Sequence, residues 1–424
     1  MTLRSHFRRC FYPLLLLAAT SCSTASPQLE PSGKVRAGAE VLSDQGFGRL
    51  AGKRVGLITN HTAVVDSVHL IDAINHASDV ELVALFGPEH GIRGDVQAGD
   101  EIKDGVDVVT GARIYSLYGE RRSPPDSVLA ELDVLIFDIQ DIGARFYTYI
   151  STMGRSMQAA ARAGTPFLVL DRPNPIGRSA EGFILSDSAD FSFVGLYPIP
   201  VTHGMTVGEL ALMIKGERML PGLDSLDLDV VPVTGWSPDS LWSSYGTEWI
   251  PTSPNIPDFE TALVYPGAGF FEGTSWSEGR GTMTPFRHVG SAGIDGSGMA
   301  EYLNGLNLPG VIFEADAFTP ESIRGMAESP KRAGVALQGV RLVITDARSY
   351  RPVAAGVNLV SAAYRFTPDE ARAEFFNSRW MRLVSGGPRL EEMITAGSDP
   401  DEIVAAWSEE VERFVETRRR YLLY

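Results

Sequence analysis

The sequence predicts an α/β protein, with a doubly wound, mostly parallel sheet over about 38–250 and a smaller α+β domain over 251–424. Three observations predict it. Short, nearly continuous apolar runs alternate with amphipathic stretches, the pattern of strands buried on both faces under helices. Polar and titratable residues gather just after those runs, at what becomes one rim of one sheet. The length, 424 residues, leaves room for two or three domains at ~150 residues each.

The elements follow in order. Lys53 to Thr59 is a buried strand, and a helix is expected from Asp66 to Ala77 with Val68, Ile71, Ala73 and Ile74 as its apolar positions. Glu81–Phe86, Val134–Asp138 and Pro166–Asp171 supply three more strands. A long helix is expected over about 146–162, closed by Gly164, and another over 206–216. Leu228–Val233 is the last strand of this part. Beyond Trp236, Trp242 and Trp249 the pattern is less regular, with strands expected at Ala262–Tyr265 and Val340–Ile344. A final helix is expected over about 400–420, capped by Ser398 or Asp399.

Composition narrows the function classes. Hydrophobic residues are 44% and charged residues 21%, values of a packed globular chain that exclude a disordered or polytopic one. Asp and Glu number 53 against 37 Lys and Arg, for a net charge of −16, so no nucleic-acid partner is expected.

The N-terminus reads as an address. Arg4, Arg8 and Arg9 precede a short apolar stretch from Phe11 to Ala19, too short for a permanent membrane span. Ala19-Thr20-Ser21-Cys22 resembles a bacterial lipobox, with Ala19 where Leu is usual. The expectation is a signal peptide over 1–21, a lipidated Cys22, and a Ser- and Pro-rich tether to residue 37. With Ser23 after the cysteine, the expected destination is the outer membrane, facing the periplasm. Cleavage there removes Cys10 and leaves no pair of thiols, so the fold has no disulfide or Cys-based metal site.

In open α/β sheets ligands bind beyond the carboxyl ends of the strands. Here those ends carry Asn60-His61, Glu89-His90, Asp138 with Gln140 and Asp141, and Asp171-Arg172 with Asn174. A further loop carries His203, and Arg145 and Tyr147 open the long helix. In the second half, the stretches around Asn255 and from Glu272 through Glu278 to Arg280 have the aromatic, polar and glycine composition of binding loops.

No Gly-rich phosphate turn follows the first strand, and no P-loop, G-x-S-x-G or H-E-x-x-H string occurs. No cofactor is expected, although a metal site assembled from separate strands remains open. A carboxylate-rich, histidine-bearing cleft suits hydrolysis of a glycoside, in which a protonated carboxyl group expels the leaving oxygen.

Several long strings carry a resemblance. Gly56–Thr62, Phe86–Gly94, Phe137–Tyr149, Leu170–Pro175, His203–Thr206, Ser253–Pro257, Phe271–Gly273 and Ser277–Gly281 resemble the NamZ-type exo-β-N-acetylmuramidase family, in order, from about residue 40 to the C-terminus. The resemblance implies a Rossmann-like catalytic domain joined to a distinct C-terminal domain, with the active site at their junction. It implies removal of terminal N-acetylmuramic acid from the non-reducing end of peptidoglycan fragments.

On that resemblance Glu89 is the leading catalytic residue. It is expected to act as general acid/base, with His90 or His203 positioning it or shuttling its proton. Asp138, Asp141 and Glu278 are candidates for the second role, and the substrate's own acetamido group is the alternative. Arg145, Arg172 and Arg280 are the candidate readers of the lactyl carboxylate. Asn60, Gln140, Tyr147, Asp171, Asn174, Asn255 and Glu272 complete the expected substrate contacts. Two alternatives stay open: a non-catalytic peptidoglycan-binding lipoprotein, and a metal-assisted cell-wall hydrolase.

Overall fold

The computed structural model describes residues 1–2, 34–89, 91–93, 104–119 and 121–424. The leader, Cys22 and most of the tether, together with His90, lie outside the described residues.

The first half is built on a seven-stranded sheet. Its strands are β1 (Lys53–Thr59), β2 (Val80–Gly87), β3 (Gly105–Val106), β4 (Arg113–Ser116), β5 (Val134–Asp138), β6 (Phe167–Leu170) and β7 (Leu228–Val231). They lie in the order β3-β4-β2-β1-β5-β6-β7, all parallel except the β3 edge. The chain therefore winds outward in both directions from β1, and the reversal falls between β1 and β5. That crevice is where doubly wound sheets bind ligands.

Burial on both faces explains the continuous apolar runs. Val55, Leu57, Leu85 and Ile136 face one core, with helices α1 (Gly38–Asp44) and α2 (Leu70–His76) over it. Ile58, Phe86, Leu135 and Phe137 face another, under α3 (Tyr149–Ala163) and α4 (Val207–Gly216). Gly164 closes α3 in the left-handed conformation, and Thr206 with Glu209 forms a reciprocal cap on α4.

The second half is a three-stranded antiparallel sheet of β8 (His288–Ser291), β9 (Val311–Phe318) and β10 (Leu337–Ile344), in the order β8-β10-β9, packed with helices. Its core is shared. Ile142, Phe146, Phe183 and Val201 from the first half pack with Phe271, Val340, Val357 and Trp407. The C-terminus returns the contact, because the Tyr424 hydroxyl donates to Asp171 at 2.7 Å and Arg418 donates to the His203 carbonyl at 2.6 Å.

The structure corrects several sequence expectations. Ala262–Tyr265 is not a strand but the middle of helix α5 (Phe259–Ala268), capped by Asp258. Its residues are buried all round, which erases the helical period. The stretch expected as a helix from Asp66 starts as a hairpin, Val64–Val65 with Val68–His69, because Asp66 and Ser67 are both left-handed (φ 45° and 81°). The long helix begins at Tyr149 instead of 146. The C-terminal helix is two pieces, α6 (Pro400–Ala405), capped by Asp399, and α7 (Ser408–Arg418). The chain breaks between them where Trp407 turns its ring edge onto Phe183.

Candidate active site at the sheet rim

Glu89 owes its place to a turn. Beyond β2, the Gly91 amide donates to the Pro88 carbonyl at 3.1 Å, and Gly91 adopts φ 77°, a conformation that favours glycine. The half-buried Glu89 sits inside this turn. Burial raises its pKa above the ordinary carboxyl range. A hydrogen bond from Tyr118 and the nearby charge of Arg280 oppose the shift, and Glu272 adds to it. The reciprocal effect, together with burial, pushes the Tyr118 phenol up to about 12.

The opposing wall comes from the second half. Gly279 (φ 76°) packs so closely on His288 that a Cβ there would lie 2.4 Å from the ring, and the turn it makes presents Glu278 and Arg280 on either side. Arg280 donates to Glu272 and lies 3.6 Å from Glu278, with its guanidinium over the Phe286 ring. Lys331 lies 3.0 Å from Glu278 Oε2 but aims its protons at the carbonyls of Phe271 (2.7 Å) and Thr274 (3.0 Å). The Lys331–Glu278 contact is therefore Coulombic, and the ammonium also ties down the backbone that carries Glu272. Buried Tyr265 feels the charges of Glu272, Glu89 and Glu278, and its phenol is raised. Tyr149 feels the charge of Glu89, and its hydroxyl donates to the Thr252 carbonyl at 2.8 Å.

The structure thus joins four sequence candidates, Glu89, Glu272, Glu278 and Arg280, with Tyr118, Tyr149, Tyr265 and Lys331, which sequence reasoning missed. Tyr118 was legible only through strand register. Tyr265 was hidden in a misread strand, and Lys331 sits in an irregular stretch without a motif.

A second group adjoins the first through Tyr147, whose ring lies edge-on to Tyr149 and Tyr265. His203 accepts from the Met205 amide at Nδ1 (3.3 Å), which leaves the proton on Nε2, 3.8 Å from Asp141 Oδ2. Asp141 also accepts from the Gly143 amide at 2.7 Å. Gln140 donates to the carbonyls of Asp141 and Pro173, at 2.7 and 2.9 Å. Tyr147 donates to Thr252 at 2.8 Å, and Asn255 to the Met326 carbonyl at 2.6 Å.

Six other candidates, Asp138, Arg172, Asp171, Arg145, Asn174 and Asn60, are held inside the fold. Asp138 is fully buried and clamped by Arg172, with Nη2 at 3.0 Å. Asp171 collects the Gly208 amide and the hydroxyls of Thr206 and Tyr424. Burial outweighs these donors and raises its pKa to about 6. Arg145 is fully buried on the carbonyls of Phe183, Ile199 and Val384, and burial lowers its pKa to about 9. Asn174 bridges the Met205 carbonyl and the Ile176 amide. Asn60 folds back on Thr62, accepting from its amide and hydroxyl at 3.0 and 2.6 Å. Among the described residues, no three His, Cys, Asp or Glu side chains converge as a metal site.

The N-terminal model of the exo-β-N-acetylmuramidase NamZ family matches residues 55–260, and its C-terminal model matches residues 263–424. The chain belongs to the NamZ family. Peptidoglycan β-N-acetylmuramidase NamZ of Bacillus subtilis (strain 168) is 39% identical over 417 residues, 97% of each chain. Two solved DUF1343-family structures from Bacteroides fragilis are similar to this chain in fold. One has a TM-score of 0.84 at 38% identity, the other 0.73 at 35%, and each comparison covers 92% of this chain and 99% of that one.

Proposed function

We propose that this NamZ-family chain is an exo-acting glycoside hydrolase that releases terminal N-acetylmuramic acid from the non-reducing end of peptidoglycan fragments, with Glu89 as general acid/base. Membership of the family and 39% identity to a peptidoglycan β-N-acetylmuramidase support the activity. The observation that carries the catalytic role is the environment of Glu89, a half-buried carboxyl whose pKa is raised by burial, with Tyr118, Arg280 and Glu272 beside it. Burial and the neighbouring Glu272 both favour the protonated form of Glu89, against the opposing pull of Tyr118 and Arg280. Ionising Glu89 places a negative charge in a desolvated site, which favours holding a proton for the leaving oxygen.

Glu278 serves as the second carboxylate or orients the substrate's acetamido group for internal attack. Of the three arginine candidates, Arg280 fits the lactyl carboxylate best, since Arg145 and Arg172 are already committed inside the fold. We also propose tethering through Cys22 at the periplasmic face of the outer membrane. A Cys22→Ser chain that still partitions with membranes contradicts the tether.

The test uses a defined disaccharide with N-acetylmuramic acid at its non-reducing end, followed by NMR. Release of free N-acetylmuramic acid is the expected result, and the anomer formed first separates retention from inversion. An intact disaccharide after prolonged incubation overturns the reading in favour of a binding lipoprotein. Activity abolished by a chelator and restored by a divalent ion overturns the metal-free scheme.

A further inference from the structure

We infer that the crevice between β1 and β5 holds a second carbohydrate subsite, shaped for a neutral N-acetylated hexosamine and distinct from the Glu89 cluster. A cavity of about 350 Å³ opens there, lined by Thr62 after β1, Gln140 after β5, Arg172 after β6, and Trp242 and Tyr245 from the segment that follows β7. Its size falls at the lower end of the ~300–1,000 Å³ of small-ligand sites, enough for one sugar ring and not for a chain. Glu89, Glu278 and Arg280 do not line it.

The lining specifies the ligand. Gln140 is almost fully buried, and its two amide protons are spent on backbone carbonyls. Its Oε1 has no partner among the described residues, and neither has the indole nitrogen of Trp242. A buried acceptor and a buried donor left unmatched are costly unless a ligand or water completes them. An acetamido group offers the complementary pair, an N–H for Gln140 and a carbonyl for Trp242. The partly exposed ring of Trp242, backed by buried Tyr245, supplies the apolar surface that the C–H face of a sugar requires.

Charge excludes the usual occupants of such a crevice. Phosphate binding at this position needs a Gly-rich turn after the first strand, and here Asn60 fills that turn by bonding Thr62. The cations at the cavity are already paired, Lys34 and Arg36 with Glu40 and Asp66 and Arg172 with Asp138, so an anionic sugar such as muramic acid finds no free partner there and is disfavoured. Given the proposed muramyl-glycan substrate, on which this step rests, the fitting unit is N-acetylglucosamine, the uncharged partner of muramic acid in the glycan.

Saturation-transfer NMR of the full chain with N-acetylglucosamine, and with glucose as the analogue lacking the acetamido group, tests the assignment. The wild-type chain and Glu89→Gln should bind N-acetylglucosamine alike, and glucose at least tenfold more weakly. Trp242→Ala, which removes the donor, and Thr247→Trp, which fills the half-exposed mouth without touching the core, should each weaken binding at least tenfold. Should Trp242→Ala fail to fold, Thr247→Trp carries the test alone. Equal binding of glucose, binding unaffected by Thr247→Trp, loss of binding in Glu89→Gln, or no binding by the wild type overturns the subsite. The two readings fail separately: a chain that cuts the muramyl disaccharide but binds no N-acetylglucosamine keeps the hydrolase and loses the subsite. A chain that binds the sugar without cutting does the reverse.

Discussion

Glu89 and Tyr118 leave the sheet side by side. Gly87 and Ser116 are register partners on the parallel strands β2 and β4, and each of the two residues follows its strand end by two positions. Strand pairing therefore delivers the phenol to the carboxyl, where its hydrogen bond favours the ionised form.

The two neighbours of Glu89 push in opposite directions, so the pH–rate profile should move in opposite directions when they are removed. A general acid must be protonated, and its raised pKa places the alkaline limb above the ordinary carboxyl range. Tyr118→Phe removes a group that lowers the Glu89 pKa, and the limb should shift to higher pH. Glu272→Gln removes a group that raises it, and the limb should shift to lower pH. Profiles of kcat/KM on a chromogenic muramide check both, and shifts of the same sign contradict the assignment.

Stability should carry the same signature. Because the folded-state pKa of Glu89 is raised by burial, its contribution is most favourable below the unfolded value of ~4.3 and is lost as pH climbs through the raised value. Glu89→Gln should therefore have a higher Tm than wild type at neutral pH, with the difference shrinking at acidic pH. Thermal unfolding followed across pH reads this directly. A variant less stable than wild type at neutral pH contradicts the desolvated environment.

Lys331 is a positioning residue: its ammonium gathers carbonyls of the backbone around Glu272 and faces Glu278. Lys331→Met should lower kcat by about 10²-fold, the scale of an ~1 Å misplacement, with KM changed little. Arginine at this position should restore part of the rate. A Lys331→Met enzyme with unchanged kcat contradicts the role.

Arg172 and Asp138 form a buried ion pair across the ends of β5 and β6. Removing one member strands the other, a loss of about 3–5 kcal/mol. Arg172→Met should accordingly unfold at much lower urea than wild type. If instead the variant keeps its urea midpoint, the pair is not structural.

Much of this was legible in sequence because burial on both faces writes an unmistakable strand, as in Val55–Thr59 and Val134–Asp138. The rim residues followed from the rule that such strands end at the ligand. Two kinds of information were not legible. One is which rim side chains the fold consumes: Asp138, Asp171 and Arg145 carry reactive groups, yet backbone and ion-pair partners distant in sequence occupy them. The other is register and long-range closure, which brought Tyr118 and Tyr265 near Glu89 and Lys331 to Glu278, and turned Ala262–Tyr265 into a helix. Local patterning contains neither.

The central claim is tested most directly by Glu89→Gln, assayed for turnover of a chromogenic muramide and, by calorimetry, for binding of N-acetylmuramic acid. The account predicts a fall in kcat of about 10²–10⁴-fold with binding of the sugar retained. Turnover within about tenfold of wild type, with the fold intact, contradicts it.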